Sequence, residues 1–296
     1  MSFTRFAPSP TGYLHRGHLL SALFVFAAAD YFGCRVRLRI EDHDQSRARQ
    51  EYIKSIPVDL ARFGFHFESI SLQSNRYALY EKYAKKLKEA LLLYPCTCSR
   101  KKLFAENPVN KDGEIIYGGC CEHRKEFSEG PFALRFKVPN KNILWNDLLL
   151  GSFQENPKLQ CGDFAIQDRL GQWTYQFAVC VDDLEENIGL IVRGEDLRSS
   201  TARQIALSQA LGRKKEPLYL HHPLLFEKEG KKLSKRQQSQ SLRAELEQGM
   251  DEMDLLGSVC FEARVIQENR RVSLEEAIHY IQNAYFGRFS KNSLLN

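Results

Sequence analysis

The sequence predicts an α/β fold with a parallel sheet, and three stretches of chain predict it. Phe3 to Ala7 is a short apolar strand, followed by a proline- and glycine-bearing turn and by an Ala-, Leu- and Phe-rich helix from Leu19 to Phe32. Arg35 to Ile40 alternates basic and apolar residues, the pattern of a strand with one wet face, and runs into the polar cluster Glu41-Asp-His-Asp44. Ile188 to Val192 reads as a buried strand ending in Arg193-Gly-Glu-Asp196, before a helix from Ser199 to Leu211 that is capped by Ser199 or Ser200 and stopped by Gly212. The last two place polar chemistry at a strand's carboxyl end, where open α/β sheets bind ligands.

The turn in the first stretch is Arg5-Phe-Ala-Pro-Ser-Pro-Thr-Gly-Tyr-Leu-His-Arg-Gly-His18. Pro8 and Pro10 fix their own φ and lack an N–H, and Gly12 permits a sharp turn. His15 and His18 then stand at the start of the helix. A helix N-terminus offers unpaired N–H groups and a positive dipole end, so an anion is stabilised there. In the second stretch, Asp44 or Ser46 is the expected N-cap of a helix over residues 46–64, which Pro57 would kink or split. Ser74 to Leu93 is an amphipathic helix whose basic face, Lys82, Lys85, Lys86 and Lys88, is expected to be solvated. Phe132 to Val138 and Ile143 to Phe153 read as strands. Asp163 onward reads as a strand, a turn at Gly171 and an apolar run ending in Asp182 and Asp183.

With 296 residues the chain is expected to hold one large domain, or one domain with an insert. Its 43% hydrophobic and 27% charged residues are ordinary for a globular protein. The net charge of +5 is compatible with a nucleic-acid partner without demanding one. No apolar run reaches the ~20 residues of a membrane helix, and the N-terminus shows no signal-peptide pattern. A cytoplasmic location with reduced thiols is therefore expected. Of eight cysteines, Cys34, Cys161, Cys180 and Cys260 are scattered and expected in the core. The others cluster: Cys96-Thr-Cys98, then Tyr117-Gly-Gly-Cys-Cys121 with His123 close behind. Four sulfur ligands, or three plus another donor, closing a polar loop with little core of its own point to structural zinc.

These motifs carry a resemblance. Pro8 to His18 resembles the HIGH signature of class I aminoacyl-tRNA synthetases, and Arg5 to His15 resembles that of their glutamyl/glutaminyl branch. Arg16 stands where isoleucine or leucine is usual and is expected to point away from the nucleotide. Leu38-Arg-Ile-Glu-Asp-His-Asp44 resembles a second motif of that branch, and Lys232-Leu-Ser-Lys-Arg236 resembles its KMSKS signature, although alone it reads as a solvated hairpin. Cys-x-Cys…Tyr-x₃-Cys is similar to the zinc insert of the glutamyl-queuosine tRNA(Asp) synthetases. The resemblance implies the Rossmann-like parallel sheet core of class I synthetases over residues 1–245, interrupted by a zinc-bearing insert at about 90–130. A helical C-terminal segment, 246–296, would follow, with no anticodon-binding domain.

The resemblance also implies chemistry. L-glutamate would be activated with ATP and magnesium, and passed to queuosine in the anticodon of tRNA(Asp). His15, His18 and Lys235 would act on ATP. Arg5, Ala7, Ser9, Glu41, Tyr175 and Arg193 would surround glutamate, with Glu41 on its α-amino group; guanidiniums such as Arg5 and Arg193 suit a dicarboxylate because they pair carboxylates bidentately. One structural zinc would sit on Cys96, Cys98, Tyr117 and Cys121, with Cys120 and His123 as rivals, and a monomer is expected. The alternatives are a conventional glutamyl-tRNA synthetase cut short and a non-catalytic, zinc-stabilised RNA-binding module. The filled histidine and lysine positions argue against the latter.

Overall fold

The chain opens as a parallel β-α-β-α-β run: β1 (Ser2–Phe6), α1 (Arg16–Phe32), β2 (Cys34–Ile40), α2 (Gln50–Arg62) and β3 (Ser69–Leu72). Its register runs from Ser2 opposite Cys34 to Phe6 opposite Leu38, and from Arg37 opposite Ser69 to Ile40 opposite Leu72. The computed structural model describes residues 2–124, 130–225 and 241–289. α1 is apolar nearly all round, and its buried residues include Leu19, Leu20, Leu23, Phe24, Ala27 and Ala28. It stops at Gly33, whose φ of 69° is left-handed and whose N–H caps Ala29 O.

A 3₁₀ turn, Gln73–Arg76, leads to α3 (Tyr77–Glu89), β4 (Leu93–Cys96), α4 (Arg100–Glu106) and β5 (Ala133–Phe136). Next come β6 (Ile143–Asp147), β7 (Gly151–Glu155), α5 (Pro157–Cys161) and β8 (Ala165–Gln167). β4, β5 and β8 make a small antiparallel sheet that carries the cysteine-rich segment. The second half of the main sheet is α6 (Tyr175–Glu185), β9 (Leu190–Gly194), α7 (Thr201–Ala210) and β10 (Leu218–His222). β10 lies parallel to both β9 and β6. A parallel bridge between Phe3 and Ile188, with Gly189 N–H donating to Phe3 O at 2.9 Å, joins the two halves. Across the molecule the order is therefore β3-β2-β1-β9-β10-β6-β7, parallel until the antiparallel edge β7. α8 (Leu242–Glu247), α9 (Glu252–Glu262) and α10 (Leu274–Ile281) close the described chain. Leu255, Val259, Ala277, Ile281 and Phe286 share one buried cluster with α1.

Three sequence expectations are corrected and a fourth is narrowed. Ile143 to Phe153 is a hairpin, β6 and β7, because Asp147 Oδ1 accepts from the N–H groups of Leu149 and Leu150 and turns the chain. Helix α2 starts at Gln50, not at residue 46, since Asp44 closes a local turn onto Ser46 instead of capping. Of the two expectations for Pro57, a kink or a split, the split is excluded, since α2 runs through it. The wet face of β2 dries out along its length: Arg35 is exposed, but Arg39 is wholly buried among carboxylates. Arg16, expected to point away from the nucleotide, is not among the residues that line the site cavity. It donates to Glu245 at 2.9 Å and to Ser258 at 2.6 Å, tying α1 to α8 and α9.

Candidate active site

Arg5 on β1, Glu41 just past β2, Arg193 on β9 and His222 on β10 meet at the carboxyl edge of the parallel sheet, around a cavity of about 590 Å³. Ala7, Ser9, His15, His18 and Tyr175 line it as well, so every described residue assigned to glutamate or ATP lines one cavity. Lys232-Leu-Ser-Lys-Arg236, and Lys235 with it, lies outside the described residues. A larger open groove of about 840 Å³ lies at the amino end of β2, between α1 and α10. It touches none of these residues, and the smaller cavity carries the chemistry.

The nucleotide-side wall is the start of α1. His15 is its N-cap: His15 Nδ1 accepts from Gly17 N–H at 3.1 Å, and His18 Nδ1 accepts from His15 N–H at 3.2 Å. The two histidines are thus a reciprocal capping pair, with ring centroids 3.9 Å apart. An Nδ1 that accepts a backbone N–H carries no proton, so the proton of each neutral ring sits on Nε2. That geometry turns a capping pair into two further donors at a helix N-terminus, beyond the backbone's own.

Beneath Glu41 lies a buried ion network. Asp183 Oδ1 accepts from Arg5 Nε at 2.9 Å and from Arg39 Nη2 at 2.7 Å, and Arg39 Nη1 donates to Glu186 at 3.0 Å. Asp182 accepts from Gln73 at 2.7 Å and from Tyr80 at 2.9 Å. Burial alone would raise the Asp183 carboxyl, but Arg5 and Arg39 overcome it and hold the group well below the usual range. The guanidiniums of Arg5, Arg39 and Arg76 face the carboxylates of Glu41, Asp182, Asp183 and Glu186, three against four. The excess negative charge falls on Glu41, whose nearest guanidinium nitrogen, Arg39 Nη2, is 3.9 Å away. Burial pushes its carboxyl up to about 7.

The opposite pole is Arg193. Its Nε donates to His221 Nε2 at 3.0 Å, Nη1 to Gln204 at 2.6 Å and Nη2 to Thr201 at 2.9 Å. No carboxylate pairs with it among the described residues. Three of its five N–H groups are used, which leaves two for a ligand. His221 accepts at Nε2, so its proton is on Nδ1, where Asp147 Oδ2 takes it at 2.7 Å. Burial pushes His221 below its usual value and keeps it a neutral acceptor. The cavity thus presents a weakly paired carboxyl, Glu41, on one side and, on the other, a guanidinium, Arg193, with no carboxylate partner among the described residues. A zwitterion with a further carboxylate matches both poles. Sequence reasoning missed Arg39, Asp147, Asp183, His221 and His222 as supports; the available signal was a pair of histidines ending a strand and a pair of aspartates ending an apolar run.

Glu41 predicts a proton-linked affinity. A carboxyl raised to about 7 is half protonated at that pH, and an ammonium ligand requires the ionised form. As pH falls through 7 the apparent affinity for an amino acid should therefore fall. At pH 7 binding should release about half a proton. Titration calorimetry in two buffers of different ionisation heat reads this directly. An enthalpy independent of the buffer would contradict it, and Glu41→Gln should abolish the release.

The cysteine-rich segment forms a separate centre. The Sγ atoms of Cys96, Cys98 and Cys121 lie within 4.8 Å of one another, and all three residues are buried. Tyr117 Oη lies 3.6 Å from Cys96 Sγ and accepts from Cys121 N–H at 3.0 Å. Tyr117 is pinned from both sides. Arg135 lies 3.7 Å over its ring, and its backbone passes so close to Gly162 that a Cβ there would come within 2.1 Å of Tyr117 O. A tetrahedral zinc with sulfur ligands at 2.3 Å separates them by about 3.8 Å, and a sulfur from an oxygen by about 3.5 Å. The observed 3.6 Å between Cys98 and Cys121 fits the first, and that between Cys96 and Tyr117 the second. These residues therefore fit a metal, which would cross-link a segment whose own core is one small cluster.

The catalytic-domain model for tRNA synthetases class I (E and Q) matches residues 2–280. The chain is 42% identical over 236 residues to a glutamyl-Q tRNA(Asp) synthetase of Neisseria meningitidis, covering 78% of this chain and 79% of that one. It is 38% identical to a glutamate–tRNA ligase of Aquifex aeolicus, with 87% of this chain matched but 56% of the relative. A crystal structure of a glutamate tRNA ligase from Elizabethkingia meningosepticum superposes with a TM-score of 0.76 at 25% identity, over 99% of this chain and 65% of that one. The parallel sheet is that of the class I tRNA synthetase catalytic domain. The chain belongs to the glutamate and glutamine family of class I tRNA synthetases. It spans under two thirds of the length of that solved ligase.

Proposed function

We propose that the protein activates L-glutamate with ATP and transfers it to queuosine in tRNA(Asp). The observation that carries the first half is the pair of poles of opposite sign, Glu41 and Arg193, in one cavity with the start of α1. In this reading Glu41 holds the α-ammonium and Arg193, with Arg5, holds carboxylate. A carboxylate oxygen attacks the α-phosphorus of ATP, and pyrophosphate leaves. The protein's share is positioning and stabilisation of the charge that develops, supplied by His15, His18 and the helix N-terminus, and by Lys235 through the resemblance of its motif. ATP enters as its magnesium complex.

The acceptor hydroxyl then attacks the carbonyl carbon of the adenylate, AMP leaves, and an ester remains. A second cavity of about 540 Å³ shares Ser9, Glu41 and Tyr175 with the first and is bordered by neither His15 nor His18. It offers the acceptor a route that does not cross the nucleotide. Support for queuosine as the acceptor comes from the Tyr117-x₃-Cys121 pattern and from the relatives named glutamyl-Q tRNA(Asp) synthetase. Zinc on Cys96, Cys98, Tyr117 and Cys121 would order the segment between β4 and β5. The activation half is tested by glutamate-dependent exchange of pyrophosphate into ATP with no RNA present. Exchange with glutamate and not with glutamine is expected; absence of exchange with both would overturn it.

A further inference from the structure

The cysteine centre holds five donors for a metal that takes four. Besides Cys96, Cys98, Cys121 and Tyr117, the exposed Cys120 turns its Sγ inward, to 3.3 Å from Cys98 Sγ, 4.0 Å from Cys121 Sγ and 3.4 Å from Tyr117 Oη. The two sulfur–sulfur distances bracket the about 3.8 Å expected of co-ligands on tetrahedral zinc. The contact with Tyr117 places thiol and phenol at the same corner of the cluster. Zinc prefers thiolate to phenolate on softness, whereas Tyr117 has the better-fixed oxygen, held by Cys121 N–H and buried under Arg135. Neither donor has both advantages.

We propose that Tyr117 and Cys120 share the fourth coordination position, so that either holds the metal when the other is lost. The exchange would balance: the thiol proton of an incoming Cys120 would go to the departing Tyr117 oxygen, and Cys96, Cys98 and Cys121 would stay bound in either case. The proposal rests on the reading of this cluster as a metal site.

The test uses the full chain, loaded with zinc or with cobalt(II), as wild type, Tyr117→Phe, Cys120→Ser and the double variant. Tyr117→Phe keeps the ring under Arg135, and circular dichroism verifies the fold of each. Both single variants should retain close to one metal per chain after dialysis, and the double variant should lose it. The thiolate-to-cobalt charge-transfer band should be stronger in Tyr117→Phe than in Cys120→Ser, four thiolates against three. Loss of metal from Tyr117→Phe as complete as from the double variant would overturn the proposal, as would identical cobalt spectra with and without Cys120 in the Tyr117→Phe background. Retention by the double variant would name another ligand, such as His123, and equally sink it. Wild-type protein that takes up neither metal would refute the metal site itself.

Discussion

Asp183→Ala is expected to destabilise the protein by about 3–5 kcal/mol, the range for removing one partner of a buried ion pair. The magnitude follows from what is left behind. Asp183 is 4% exposed, and one of its oxygens serves both Arg5 and Arg39, the latter wholly buried. Deleting the carboxylate leaves the buried Arg5 without its carboxylate and takes from Arg39 its shortest ion pair, leaving it Glu186 at 3.0 Å, whereas deleting an exposed salt bridge would cost ~0–1 kcal/mol. Its pKa is held low, so its contribution is complete above the ordinary carboxylate range. It is lost only as strong acid reaches the folded-state pKa. Asp183→Asn should cost less, because an amide oxygen still accepts, but it frees Arg5 to turn and should raise the Michaelis constant for glutamate more than that for ATP. Denaturant titration of both variants checks this. A loss under 1 kcal/mol in Asp183→Ala would show that Glu41 and Glu186 already neutralise the pair.

His18→Ala is expected to slow adenylate formation by about 10²–10³-fold, the usual cost of removing one preorganised donor to a developing oxyanion. The same residue caps α1 through Nδ1, and loss of a cap costs ~1 kcal/mol. The two effects are separable because 10²–10³ corresponds to about 2.7–4 kcal/mol of barrier, well above the cap's worth. His18→Asn keeps an acceptor for His15 N–H and should restore most of the stability with little of the rate. Rates that recover fully in His18→Asn would show that His18 serves the helix alone.

The fold and the site were legible to different depths, for physical reasons. The turn from Pro8 to His18 was readable because proline, glycine and histidine at a helix start act locally. Glu41 and Arg193 were readable because each stands at the carboxyl end of a strand pattern, the edge at which open α/β sheets bind ligands. The supports for these residues were not readable. Arg39 meets Asp183 across 144 positions and Asp147 meets His221 across 74, and no local pattern pairs them. Periodicity marked Arg39 as wet because it sees only alternation, while burial of an arginine depends on carboxylates delivered by α6. The hairpin at Asp147 hid for a related reason: the turn is made by a side chain capping two backbone N–H groups, without glycine or proline at its centre. Cys120 stood beside a better-matched cysteine, and only its Sγ position raises it above a bystander.

In the proposed reaction glutamate goes to a modified base and not to the terminal ribose. Its most direct measurement is transfer of labelled glutamate to tRNA(Asp) with and without queuosine, each with the 3′-terminal adenosine present or removed. Label should enter the queuosine-containing tRNA whether or not the terminal adenosine is there, and should not enter the tRNA that lacks queuosine. Transfer that disappears with the terminal adenosine, or that proceeds on tRNA(Glu) without the modified base, would make this a conventional glutamate–tRNA ligase and contradict the account.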